Sequence, residues 1–163
     1  LFNYSGKPWL TQHWSREIMN KYYGSDPYNG WPGDEDEGQM GSWFVMSSMG
    51  LFETDGGASE KPFYEIGSPL FEKVTIHLDE KYYPGKIFTI EAINVSDQNR
   101  YIQSATLDGK PLNKPWFYHS ELVDGGSLIL QMGPRPNENW GSKPGDAPPS
   151  MSGTAIKTKT TKK

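Results

Sequence analysis

The run from Gln39 to Met49 has the length of a short helix but no polar face. Met40, Trp43, Phe44, Val45, Met46 and Met49 are separated only by Gly41 and small serines, and Gly50 closes the run. A helix that is apolar all round is buried inside a larger assembly. A second helical pattern covers Pro8 to Tyr23. Pro8 suits the first helical position, Leu10, Trp14, Ile18 and Tyr22 recur at i+4 spacing, and Gly24 is a natural stop. Two helices cannot enclose the apolar one, so the sequence predicts that the rest of a helical assembly is supplied from elsewhere. The start, Leu1-Phe2-Asn3-Tyr4, has neither an initiator methionine nor the basic-then-apolar pattern of a leader. It reads as beginning inside something larger.

Beyond Phe52 the pattern changes. Glu53 to Pro62 is a polar connector, after which the hydrophobic period becomes two. Val74, Ile76 and Leu78 alternate with Thr75 and His77, which sends His77 to the outer face. Ile87 to Ile93 and Tyr101 to Leu107 read as further strands, the latter followed by the hairpin pair Asp108-Gly109. Ser127 to Met132 is another strand, with Leu128, Leu130 and Met132 inward. Short strands joined by turns predict an antiparallel sheet, as half of a sandwich. From residue 136 the prolines multiply, little apolar surface remains to bury, and the chain ends on Lys162-Lys163. This stretch should run extended over another surface or stay disordered. The division expected is thus α+β, with helices over 1–52, a β segment over 53–135 and a Pro-rich, basic tail over 136–163.

Between the helices lies Gly30-Trp31-Pro32-Gly33-Asp34-Glu35-Asp36-Glu37-Gly38. Pro32 and Gly33 force a turn, so four consecutive acids occupy a loop just before a helix start. There they face unpaired N–H groups and the positive end of the helix dipole, which favours the ionised form. Fixed, ionised carboxylates suit a general base or a hard-cation ligand, although ordinary solvated helix-start charges have the same sequence. An EF-hand is excluded, because the twelfth position from Asp34 is Val45 where a bidentate Glu is required.

Composition narrows the classes. A net charge of −4 gives no general reason to bind nucleic acid, and the basic end has no interleaved aromatics for base stacking. No run of 18 apolar residues provides a membrane span. Cysteine is absent, which excludes disulfides. Two N-glycosylation sequons occur, Asn3-Tyr4-Ser5 and Asn94-Val95-Ser96, a number near chance for 163 residues.

The order of motifs resembles glycoside hydrolase family 92. The resemblance runs from Pro8-Trp9 and the Trp14, Arg16, Ile18, Tyr22 helix through Pro32-Gly33-Asp34-Glu35-Asp36, Gly38-Gln39-Met40 and Trp43 to Gly50-Leu51-Phe52. It continues with Ile66-Gly67-Ser68-Pro69-Leu70-Phe71, Tyr101 to Ala105 with the Asp108-Gly109-Lys110 turn, and Gly125-Gly126-Ser127-Leu128, covering about residues 1–133. This family comprises calcium-dependent, inverting, exo-acting α-mannosidases, commonly secreted or periplasmic. Its members often carry Cys or Asn at the position of Glu37, and Ser-Ala-Trp-Tyr where this chain has Gly41-Ser42-Trp43-Phe44.

The resemblance implies the last helices of an (α/α)6 barrel followed by a β-sandwich-like segment. It also implies terminal α-mannosides of mannan or N-glycans, α-1,2-linked, as substrate. Asp34 and Asp36 align with the carboxylates proposed to activate water. An inverting hydrolase needs a base and an acid on opposite faces of the sugar, about 6.5–9.5 Å apart. Asp34 and Asp36 are too close in sequence to be that pair unless the loop bends sharply. They fit as a base and its helper, with the acid and most calcium ligands upstream in the same polypeptide or on a second chain. Asp36 is the one metal candidate here.

Other residues have plainer readings beside the functional ones. Trp31 suits stacking on a sugar or buried packing equally, and Gln39 suits holding substrate, base or water, with helix capping the simpler account. Glu35 and Glu37 have the reach of metal ligands, with solvent the simpler expectation. Trp9, Trp14 and Trp43 are core residues first, His13 is a packing histidine, and His119 with Ser120 and Glu121 makes no triad. The competing expectation is a non-catalytic carbohydrate-binding β module whose acidic loop is structural. Its weakness is the apolar surface that an independent module would expose.

Overall fold

The computed structural model describes residues 1–150, and the basic end of the tail lies outside the described residues. Helix α1 spans Pro8–Tyr22 and helix α2 Gln39–Ser48. The strands β1 (Leu51–Phe52), β2 (Phe63–Ile66), β3 (Lys73–His77), β4 (Ile87–Ile93), β5 (Tyr101–Leu107), β6 (Lys110–Pro111) and β7 (Trp116–Tyr118) follow. A short helix α3 (His119–Val123) and strand β8 (Gly126–Gly133) complete the regular elements before a 3-10 turn at Pro144–Asp146. The chain is α+β, as the change of period indicates.

The strands form a three-stranded sheet, β1-β2-β7, and a five-stranded sheet, β3-β4-β8-β5-β6. One core joins them. Phe88 and Phe117 stack across it at 5.9 Å, with Ile66, Ile90, Ile102, Leu128 and Leu130 almost fully enclosed. Leu128, Leu130 and Met132 face inward and His77 outward, as alternation requires. Asp108 (φ 49°) and Gly109 (φ 73°) make the hairpin between β5 and β6.

Two expectations need correction. The large sheet is not wholly antiparallel, because β4 and β8 pair in parallel from Phe88–Gly126 to Ile93–Gln131. A parallel pair requires a crossover. Here the intervening chain builds β5 and β6, then crosses to the small sheet as β7, before returning. The tail also buries more than its composition suggests. Trp140 is 6% exposed and donates its indole N–H to Leu112 O at 2.9 Å, while Trp116 donates to Asp146 O.

The helices present a less intuitive face to the sheets. The inner side of α1 is Pro8, Gln12, Arg16 and Met19, whereas Trp14, Ile18 and Tyr22 lie 49%, 37% and 47% exposed. Gln12 Oε1 accepts from Ile102 N at 2.9 Å. Arg16 donates to Pro69 O at 2.6 Å, to Ser96 O at 3.1 Å and to Asp97 Oδ1 at 3.1 Å. In α2 the buried residues are Ser47 and Ser48, and Val45 is 56% exposed.

The Ile66-Gly67-Ser68-Pro69 motif is the joint between helices and sheets. Gly67 N donates to Gly50 O, Leu70 N to Ser48 O, and Ser68 Oγ to Arg100 O. A Cβ on Gly50 (φ 81°) would stand 2.8 Å from Pro69 Cδ, so glycine is required by both space and conformation. The ten residues of α2 then carry its N-terminus about 15 Å from this joint.

Candidate active site

At that far end of α2 the acids lie on a loop, and their roles divide sharply. Asp36 (φ 60°), Glu37 (φ 58°) and Gly38 (φ 99°) adopt left-handed backbone in succession. Two non-glycine residues in this region cost on the order of 1–3 kcal/mol each and persist only where the surroundings impose them. Glu35 does so. Its Oε1 accepts from Gly41 N at 2.9 Å and its Oε2 from Gly38 N, so one carboxylate satisfies two N–H groups at the start of α2. The backbone carbonyls of Glu35 and Asp36 take Met40 N and Gln39 N, both at 3.2 Å.

Two sequence expectations are thereby corrected. Glu35 is half-buried and is the helix cap rather than a solvent-facing acid. Gln39 is not the cap. Its side chain is exposed at the first position of α2 and has no hydrogen-bond partner among the described residues. The cap falls to Glu35 because the left-handed turn at 36–38 folds its carboxylate back over the helix end.

Asp34, Asp36 and Glu37 are exposed, and among the described residues their carboxylates have no hydrogen-bond or ion-pair partner. Trp31 is 45% exposed, one turn before them. The approach to that turn is fixed by Asp26, whose Oδ1 accepts from Tyr28 N at 2.9 Å and Asn29 N at 3.0 Å, while Gly24 N closes onto Gly30 O. The bond from Tyr28 N, then that from the Asn29 side chain, hold the Asp26 carboxyl below the usual aspartate range.

Tyr23 is a residue that the sequence reading assigned only to the end of a helix. Its ring stacks on Trp43 at 5.4 Å and Phe44 at 5.0 Å, and its hydroxyl donates to Met40 O at 3.3 Å. It ties α1 to the first turn of α2. Burial raises its pKa, and the Glu35 carboxylate adds to the rise. Only an aromatic placed beside the stop glycine signals it in sequence.

The histidines stand apart from the acids. His13 Nδ1 is 3.1 Å from Tyr101 OH, a packing contact, and His119 Nδ1 is 2.8 Å from Tyr64 OH. Burial first, and then Glu53, push the Tyr64 hydroxyl up to about 12. A cavity of about 280 Å³ lies among Phe2, Trp14, Trp43, Leu51 and Glu65, and none of the four loop acids lines it.

Among the described residues no group of three or more His, Cys, Asp or Glu is disposed to hold a metal ion. Asp34 and Asp36 are the oxygen donors that a hard cation takes, but a calcium ion needs six to eight such ligands. The loop thus presents carboxylates without partners among the described residues, on a backbone held at both ends.

Comparison with known proteins shows the family of the chain. The family model of the glycosyl hydrolase family 92 catalytic domain matches residues 1–134. A protein of Arthroderma benhamiae described as an uncharacterized secreted glycosidase is 35% identical over 159 residues, covering 96% of this chain and 19% of that protein. A family 92 inverting mannosidase of Bacteroides thetaiotaomicron superposes with a TM-score of 0.81 at 40% identity, over 93% of this chain and 19% of that one. A second α-mannosidase of that organism, solved in complex with mannoimidazole, gives 0.80 at 28% identity, over 92% and 19%. The chain thus spans about a fifth of the length of these relatives. It belongs to glycoside hydrolase family 92.

Proposed function

We propose that this chain supplies the water-activating side of the active site of an inverting, exo-acting α-mannosidase. The observation that carries the reading is the division of labour in the acidic loop. Glu35 is consumed in holding the helix start, which leaves Asp34 and Asp36 exposed and without partners among the described residues. An inverting hydrolase requires a base that holds water on one face of the sugar, and a carboxylate free of structural bonds meets that need. In this reading one of the two aspartates takes the proton from water as it attacks the anomeric carbon, and the other orients it. The general acid, which protonates the departing glycosidic oxygen, comes from upstream in the same polypeptide or from a second chain.

Calcium is part of the proposal. Asp36 would lend it one carboxylate, the remaining ligands would come from outside the described residues, and when bound the ion would supply Lewis-acid binding of sugar hydroxyls. Trp31 and Gln39, both exposed beside the acids, are the proposed sugar contacts. The exposed stripe of Trp14, Ile18 and Tyr22, with Val45 of α2, is the surface on which the other helices of an (α/α)6 barrel pack. The β elements form the sandwich-like segment beside it, with the chain divided near residues 52 and 135. The protein is proposed to be secreted or periplasmic, in line with the description of its fungal relative.

The direct test is hydrolysis of an α-1,2-linked mannobiose by the complete protein, followed by proton NMR. The proposal expects β-mannose as the first product and loss of turnover on chelation that calcium restores. First release of α-mannose, or full activity in chelator, contradicts it.

A further inference from the structure

The two glycosylation sequons have opposite fates in the fold. Asn3 has no exposed surface. Its Nδ2, the atom that would carry a glycan, donates to Glu65 Oε2 at 2.8 Å, and its Oδ1 accepts from Thr11 Oγ1 at 2.8 Å. Glu65 is itself buried and takes a second hydrogen bond from Thr54. A sugar on Nδ2 has no path to solvent there, and the buried carboxylate would lose the geometry of its partner.

Asn94 is the reverse case. It is exposed, stands directly after β4 with φ at 65°, and its side chain has no partner among the described residues. The surrounding turn is held by other groups: Asn99 Nδ2 donates to Asn94 O at 2.9 Å, and Asn99 N to Ser96 Oγ at 3.0 Å. A glycan on Asn94 Nδ2 therefore breaks no hydrogen bond among the described residues.

We propose that Asn94, and not Asn3, is an N-glycan attachment site of this chain when it is secreted through a compartment that holds an oligosaccharyltransferase. The inference rests on the secreted reading and is independent of the catalytic one. In the transfer, Asn94 Nδ2 forms a bond to the anomeric carbon of a lipid-diphosphate-linked oligosaccharide. The carbon–oxygen bond to the diphosphate breaks, the lipid diphosphate departs with the electron pair, and Nδ2 gives up one proton. Ser96 supplies the hydroxyl that the acceptor motif requires.

The test is peptide mass spectrometry of the complete protein, secreted from a eukaryotic host and deglycosylated in heavy-oxygen water, with mannose release followed on the same material. The expected result is conversion of Asn94 to labelled aspartate, with Asn3 unlabelled. Ser96→Ala should abolish the label and Ser96→Thr should keep it. Secreted protein unlabelled at Asn94 overturns the proposal, and labelled Asn3 in folded protein overturns its second half. Loss of mannose release with the label intact would count against the catalytic reading alone.

Discussion

Glu35 shows how a single side chain decides what its neighbours are free to do. By accepting from Gly38 N and Gly41 N it offsets the cost of left-handed backbone at Asp36 and Glu37. Glu35→Ala should remove about 1 kcal/mol of stability, the usual worth of a helix cap, and lower kcat of the complete enzyme more than it raises KM. Glu35→Gln, which keeps one acceptor, should recover part of both. Equal losses in the two variants would mean that charge, rather than capping geometry, matters. Gly50 offers a purely structural contrast. Gly50→Ala forces a Cβ against Pro69 at left-handed φ and should cost more than about 1 kcal/mol in denaturant unfolding. In sequence, the four acids were recognisable as a group but not as individuals. What separates Glu35 from Asp34 and Asp36 is the turn at 36–38, and only its backbone angles reveal which carboxylate points back.

At the scale of elements, propensity and period located α1, α2 and most long strands, but not which side of α1 faces inward. Hydrophobic spacing pointed to Leu10, Trp14, Ile18 and Tyr22, whereas the side facing the sheets holds Gln12 and Arg16. Buried polar side chains with dedicated partners leave no periodic signal, so the contacts of Gln12 with Ile102, and of Arg16 with Pro69 and Ser96, were invisible. The parallel β4–β8 pair was missed for a similar reason, since alternation specifies a face and not a neighbour. Trp140 was lost in proline-rich surroundings. Trp140→Ala should destabilise by about 3–5 kcal/mol if the tail belongs to the core, and a change within 0.5 kcal/mol by the same measurement would make it a loose strap. The turn at Asp26 gives a pH prediction. Its carboxyl is held below the usual aspartate range, so its stabilisation is complete above that range and is lost as pH falls through the lowered pKa. The Tyr28 and Asn29 amide resonances should therefore move at a pH below that at which an ordinary aspartate titrates, and movement at or above that pH would contradict the bonding.

For the whole molecule, the two halves of the chain differ in where their apolar side chains lie. The sheets close around their own core, while the helices turn Trp14, Ile18, Tyr22 and Val45 outward. The acidic loop sits at the end of α2 away from the joint with the sheets, so the β part fixes the helix from its C-terminus. The central claim is the proposal that Asp34 and Asp36 are the base side of a composite active site. It is tested most directly by comparing kcat/KM on an α-1,2-linked mannobiose for the complete enzyme and its Asp34→Asn and Asp36→Asn variants, with unfolding followed in parallel. The account predicts a loss of about 10²–10⁴-fold in at least one variant, the usual worth of a general base, with the fold intact. Near-normal rates in both would contradict it.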